Sequence, residues 1–281
     1  MNSIHISKRG IAVIATAALA AVVLVACGGG DADRDAAVQE TERAQAQGLL
    51  DKLPVSWAPS SITFNANPGS RQDIPVTLTT KVALKNARVV FVPDLRNAVT
   101  VTPETIPALA AGQSATVKLT FAPAATDTRK FIAGIVLLFD QNATTSKPLL
   151  VKVTLVKAEV VNGVVVPPEP PADLNNGTLA GFDTNGNGVR DDIDRILAKK
   201  YGAEPAKYQE AFVFAASEQA LVVSQSTTSV DAYTNMTSCA VKRDIVSVDE
   251  LDDLTHTHLN TRDRKNAYGI TLAGTVSGGC K

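Results

Sequence analysis

The apolar periodicity of this chain changes once, at Pro167-Pro168-Glu169-Pro170-Pro171, and the change divides what can fold on either side. Before it, apolar residues recur at every second position. Ala115-Thr116-Val117-Lys118-Leu119-Thr120-Phe121 alternates strictly, as a strand with one buried face must. Similar runs predict strands over 61–66, 74–79, 87–92, 98–101, 131–139 and 149–155, separated by turn residues such as Asn67-Pro68-Gly69 and Ala111-Gly112-Gln113. About seven short strands in about 100 residues predict a β-sandwich. Trp57, alone at the entrance of this region, is expected to plug the core.

After the prolines the period is helical. Ile193, Ile196, Leu197 and Tyr201 fall on one helix face. A second helix is predicted over 204–224, with Tyr208, Phe212 and Ala215 on its stripe. Ser247-Val248-Asp249-Glu250 is a capping box ahead of Leu251 and Leu254, and Asn260 or Thr261 caps a last helix running towards Val276. Between the regions, Asn162-Gly163 marks a tight hairpin, and the proline run predicts an extended spacer at a domain boundary.

The start of the chain reads as a targeting segment. Lys8 and Arg9 precede an apolar run over 11–26, short of the about 20 residues a membrane span needs. It ends in Leu24-Val25-Ala26-Cys27. This resembles the lipobox of bacterial lipoproteins, which implies cleavage before Cys27 and a diacylglyceryl thioether on it, with an acylated amine in many bacteria. The alternatives are an ordinary leader with a chance cysteine, or an uncleaved anchor. Gly28, where an inner-membrane retention signal has Asp, leans by the same resemblance towards the outer membrane of a Gram-negative host. The polar residues that follow read as a tether, with helical character near 36–50.

The expected organisation is therefore a leader (1–26), a tether (27–53), an all-β sandwich (54–158), a hairpin and proline linker (159–175), and a small, mainly helical domain (176–281). The segment from Ala111 to Pro123 also resembles the penultimate strands of bacterial Ig-like envelope modules. That resemblance implies an Ig-like sandwich, though one without cysteines. Net charge is −1, so no basic field draws the chain to nucleic acid. Beyond Cys27, the remaining cysteines are Cys239 and Cys280; export to an oxidising compartment predicts that they pair. The bridge would close a loop of about 40 residues and contribute about 4 kcal/mol, less any strain.

One chemical motif stands out. Asp183-Thr184-Asn185-Gly186-Asn187-Gly188-Val189-Arg190-Asp191-Asp192-Ile193-Asp194 fits the twelve positions of an EF-hand-like loop. A calcium ion takes about six to eight oxygens. Asp183, Asn185, Asn187, the Val189 carbonyl, Asp191 and Asp194 are the expected ligands, and Gly188 permits the sharp turn. Asp rather than Glu in the last position resembles the calcium loops of dockerins, but dockerins carry two such loops and this chain has one. The competing interpretation is an Asn/Gly-rich turn before a helix whose dipole favours Asp. Residues 177–182 and 260–264 are similar to an uncharacterised class of bacterial exported proteins, a resemblance that implies no activity.

His256 and His258, two apart on a predicted helix, point to different faces and are expected to be solvated or capping. No GxSxG, HExxH or phosphate-binding glycine loop occurs. The chain is thus expected to be a lipid-anchored envelope protein with a structural calcium ion, binding an envelope protein or glycan. An enzyme or enzyme accessory with a site between the domains is the alternative. Mass spectrometry of the mature protein should find acylated Cys27 at its N-terminus; an unmodified thiol, or an intact leader, would defeat that expectation.

Overall fold

The computed structural model describes Gly48 and residues 52–91, 95–140, 146–243 and 245–272. The leader, Cys27, nearly all of the tether, and Cys280 lie outside the described residues.

A mostly β region comes first and a helical region follows. The strands are β1 (Val55–Ala58), β2 (Ser61–Ala66), β3 (Gln72–Thr80), β4 (Leu84–Phe91), β5 (Val99–Thr102), β6 (Thr105–Leu109), β7 (Ser114–Phe121), β8 (Phe131–Phe139) and β9 (Leu149–Leu155). They form two sheets, β1-β3-β7-β5 and β2-β9-β8-β4-β6. All neighbours are antiparallel except β2 and β9, which run parallel from Ser61↔Leu150 to Ala66↔Leu155. Inward residues of both sheets build one apolar core: Ile74, Val76 and Leu78 of β3 and Val117 and Leu119 of β7 from one sheet, Ile62, Phe64, Val136 and Leu138 from the other. The alternation along β7 is what puts Thr116 and Lys118 in water and Val117 and Leu119 out of it. Trp57 is buried as expected, its indole N–H donating to the Lys147 carbonyl at 2.8 Å and to Ser146 Oγ at 3.2 Å.

Two strands escape the sequence pattern. β1 is four residues long, and β6 carries Pro107, which normally argues against a strand. At the edge of its sheet β6 tolerates the missing N–H, and Asn86 of β4 turns to a φ of +51° where the ladder passes Pro107. Pro75 within β3 is allowed for a related reason: β1 pairs only with Thr77 to Thr80, so no strand claims a donor from position 75 on that side.

Next come a hairpin, β10 (Glu159–Val161) and β11 (Val164–Val166), and the helices α1 (Ala172–Asn176), α2 (Asp191–Tyr201), α3 (Pro205–Ser224), α4 (Thr227–Arg243), α5 (Val248–His258) and α6 (Arg262–Leu272). Asn162 and Gly163 both take positive φ, +48° and +82°, the signature of a tight two-residue turn. The proline segment is not a free spacer. Pro167 and Pro170 are buried, and Arg195 of α2 donates to the Pro167 carbonyl and pairs with Glu159 and Glu169. Asn162 donates to the carbonyls of Ala198 and Lys199 at the end of α2. The hairpin and prolines therefore lie against the first long helix.

Ile193, Leu197 and Tyr201 are buried as the spacing predicts, with Ile196 at the margin. On α3 the stripe is rotated: Ala211, Phe214 and Ala215 are buried, while Tyr208 and Phe212 only pack at its edge. The capping box at Ser247 and Glu250 forms on both sides, and Thr261 caps α6. α4 was not evident in the sequence, because its Thr- and Ser-rich start is a poor intrinsic helix former. Packing of Val230, Tyr233 and Ala240 into the helical core decides it.

Gly134 on β8 faces fully buried Leu95, and a Cβ built there would lie 2.7 Å from Leu95 Cγ. Gly134→Ala should lower unfolding stability by about 1–3 kcal/mol through overpacking. Urea denaturation checks this, and an unchanged midpoint would refute the tight fit.

Candidate functional site

The loop at 183–194 runs between the two regions. Its approach is set by Phe182, which leaves the helical side and inserts into the sheet core, edge-on to Phe64 at 5.3 Å between ring centroids. Arg71 N–H then donates to the Thr184 carbonyl at 3.0 Å, and Asp183 N–H donates to the buried Gln72 side chain at 3.2 Å. The other end of the loop is held by Val189, which is fully buried in the helical core, and by the first turn of α2. Gly186 and Gly188 take φ of +71° and +86°, so the chain turns where a side chain would be strained.

Within this frame Asp183, Asn185, Asn187 and Asp194 converge. Asp183 accepts from Asn187 N–H at 3.1 Å and from Gly188 N–H at 3.0 Å. Asn187 Oδ1 accepts from Val189 N–H at 2.8 Å. Asp194 Oδ2 accepts from the amides of Asn185 and Asn187 at 2.9 and 2.8 Å. Asp194 Oδ1 has no partner although the residue is only 2% exposed. An ionised oxygen left this way is costly unless something positive meets it. Burial pushes the Asp194 carboxyl up to about 6, against the two amide bonds that favour its charge.

Asp191, another expected ligand, is turned elsewhere. Its two oxygens accept from the backbone N–H and the hydroxyl of Thr184, at 3.0 and 2.8 Å, closing the loop on itself. Burial pushes its carboxyl up to about 7, with the Thr184 bonds opposing the shift. Among the described residues, no three His, Cys, Asp or Glu side chains gather so that they could hold a metal ion. The converging set has two carboxylates and two carboxamides instead. Each carboxamide can present either N–H or oxygen by a half-turn of its end. Asn185 and Asn187 thus have the chemistry to give oxygens to a hard cation in place of the N–H groups they now direct at Asp194. By donor type these four residues fit calcium.

A polar network in the helical core was missed by sequence reasoning. Arg190 and Arg264 are both fully buried. Arg190 forms a two-pronged contact with Asp192, at 2.9 and 3.0 Å, and donates to the His258 carbonyl at 2.8 Å. Burial works against ionisation of Asp192, but the Arg190 hydrogen bonds and charge hold its carboxyl below the ordinary value. Arg264 donates to the carbonyls of Asn175, Thr178 and Leu179 and to the side chains of Asn176 and Asn260. The segments at 177–182 and 260–264 therefore meet around one guanidinium. Desolvation, with the nearby Arg190 charge, lowers Arg264 to about 10.

His258 is not solvated, contrary to expectation. It is fully buried, with Nε2 2.6 Å from Gln219 Oε1 and Nδ1 2.9 Å from Glu218, which is fully buried too. The latter contact has ion-pair distance but lacks hydrogen-bond alignment. His256 is exposed, its Nδ1 facing the Asp252 carbonyl. Cys239 lies on α4, and Cys280, its expected partner, is outside the described residues.

A cleft of about 490 Å³ opens at the seam of the two regions, between Arg71, Gln72 and Asp73 at the start of β3, the loop at Asp183, and Gln219 on α3. No histidine lines it.

No family model matches the chain, and no curated protein matches it. Solved structures resemble parts of it. A family 123 glycoside hydrolase from Clostridium perfringens is 6% identical over 36% of this chain and 23% of that one, with a TM-score of 0.28. The VesB protease of Vibrio cholerae is 12% identical over 40% and 35%, at 0.30. The SrpA adhesin of Streptococcus sanguinis is 13% identical over 46% and 73%, at 0.28. The chain spans less than half the length of the first two, and likenesses at this level carry no activity to it.

Arg264→Met keeps much of the volume but removes the donors that five acceptors share. It should cost about 3–5 kcal/mol of stability. A loss below about 1 kcal/mol in urea unfolding would mean that the network relaxes onto water.

Proposed function

We propose that this protein is a lipid-anchored component of the bacterial cell envelope. In this reading an Ig-like module and a helical module are joined through a calcium-holding loop, and the role is binding or structural. The lipid sits on Cys27, in the outer membrane if the host is Gram-negative. The partner is an envelope protein or a glycan. The observation that carries the calcium part is the Asp194 carboxylate, whose Oδ2 accepts from Asn185 and Asn187 while its Oδ1 is buried without a partner. Asp183, Asn185, Asn187 and Asp194 would hold the ion directly, with the Val189 carbonyl beside them. Asp191 would act from behind, bracing Thr184. Among the described residues no helix is long and apolar enough to cross a membrane. A Cys239–Cys280 disulfide would tie α4 to the end of the chain.

The alternative is an enzyme working at the seam between the regions, where Asp73 and Asp183 would be its titrating groups, since His258 is fully buried against Gln219.

Titration calorimetry of the mature protein should give a dissociation constant for Ca²⁺ of about 10⁻⁴ to 10⁻³ M. Asp194→Ala should abolish it. No heat at millimolar Ca²⁺, with melting unchanged by chelator, would remove calcium from the proposal.

A further inference from the structure

The loop belongs to two hydrophobic cores at once, and this gives a cation there something to control. Phe182 is packed among the sheet residues, beside Phe64, while Val189 and Ile193 are fully buried among the helices. The first two loop residues are fastened to the start of β3, Asp183 through Gln72 and Thr184 through the backbone of Arg71 just before it. The last, Asp194, is part of α2. The two carboxylates of the converging set therefore come from opposite sides of the seam.

We infer that cation occupancy of this loop governs how firmly the sheet region docks on the helical region, the loop acting as a calcium-dependent clasp. The inference rests on the calcium reading above. With the ion present, Asp183 and Asp194 share one positive centre, and the sheet-side end of the loop is drawn to the helix-side end. Without it, the negative charges of Asp183 and Asp194 repel each other. The like charge then works against the Phe182 insertion and the bonds to Gln72 and Arg71. Coupling of this kind is reciprocal: docking must raise calcium affinity as much as calcium favours docking.

Gln72 supplies a probe, because it is no ligand and belongs to the sheet region. Its amide N–H is spent on the Asp73 carbonyl, and its oxygen accepts from Asp183 N–H. Removing that acceptor leaves every proposed calcium ligand in place.

Differential scanning calorimetry on the mature, full-length protein tests the clasp, with binding followed separately by titration calorimetry. At Ca²⁺ about a hundredfold above its dissociation constant, a single transition is expected. In EGTA the helical transition should separate and fall by about 10 °C. Gln72→Ala should weaken Ca²⁺ binding about fivefold. If Ca²⁺ binds and the melting profile is the same with and without EGTA, the clasp is wrong while the calcium site stands. Unchanged affinity in Gln72→Ala likewise overturns the coupling. If no binding heat appears, site and clasp fall together.

Discussion

Phe182 and Val189 are only seven positions apart but occupy different hydrophobic cores, and the rest of the architecture follows from that placement. An aromatic side chain buried beside Phe64 removes a large apolar area from water, on the order of 2–3 kcal/mol for a ring of this size. The chain then has six residues, 183 to 188, in which to leave one core and enter the next. Only a turn rich in glycine and short polar side chains can do this. Such a turn leaves backbone N–H groups pointing inward, where Asp183, Asn185 and Asn187 collect them. Sequence, turn and site are one solution to one geometric problem.

The helical region is unusual in how many ionisable side chains it buries. Arg190, Arg264, Glu218 and His258 are all withdrawn from solvent. Hydrophobic burial alone would favour apolar residues there, since buried ions gain stability only when every donor and acceptor is met. The two arginines meet that condition differently. Arg190 reads a carboxylate and the C-terminal end of α5, whereas Arg264 gathers backbone carbonyls from the end of α1 and the irregular stretch that follows it. That stretch has no ladder of its own, so the guanidinium stands in for a secondary structure. Gly181 fits the same logic: it takes φ +65°, and a Cβ there would lie 2.5 Å from Arg190 Cδ and 2.9 Å from Arg264 Nη2.

Much of the fold was legible in the residues. Period-2 alternation located β2, β3, β4, β5, β7, β8 and β9 to within a few positions, and Asn162-Gly163 gave the hairpin turn. β1 and β6 were hidden because a four-residue strand and a proline-bearing edge strand carry almost no periodic signal. α4 was hidden by its Thr- and Ser-rich start, and the α3 stripe was misread because Ala211 and Phe214, not the aromatics Tyr208 and Phe212, face inward. In the loop, spacing identified Asp183, Asn185, Asn187 and Asp194 as a converging set. Spacing did not reveal that Thr184 would engage Asp191, since that depends on how deeply the first turn of α2 is buried. His258 looked solvated because its partners, Glu218 and Gln219, are about forty positions away in the chain.

By itself the sequence determined the order of regions, the strand and helix periods, and the chemical character of the 183–194 loop. These are local properties, written in spacing and in the conformational preferences of glycine, asparagine and proline. Tertiary structure decided that the prolines lie against α2 and that Phe182 crosses into the sheet core. It also decided that one carboxylate oxygen of Asp194 is buried with nothing to meet it. Burial and long-range pairing are set by what the rest of the chain brings close, and no local pattern encodes that distance.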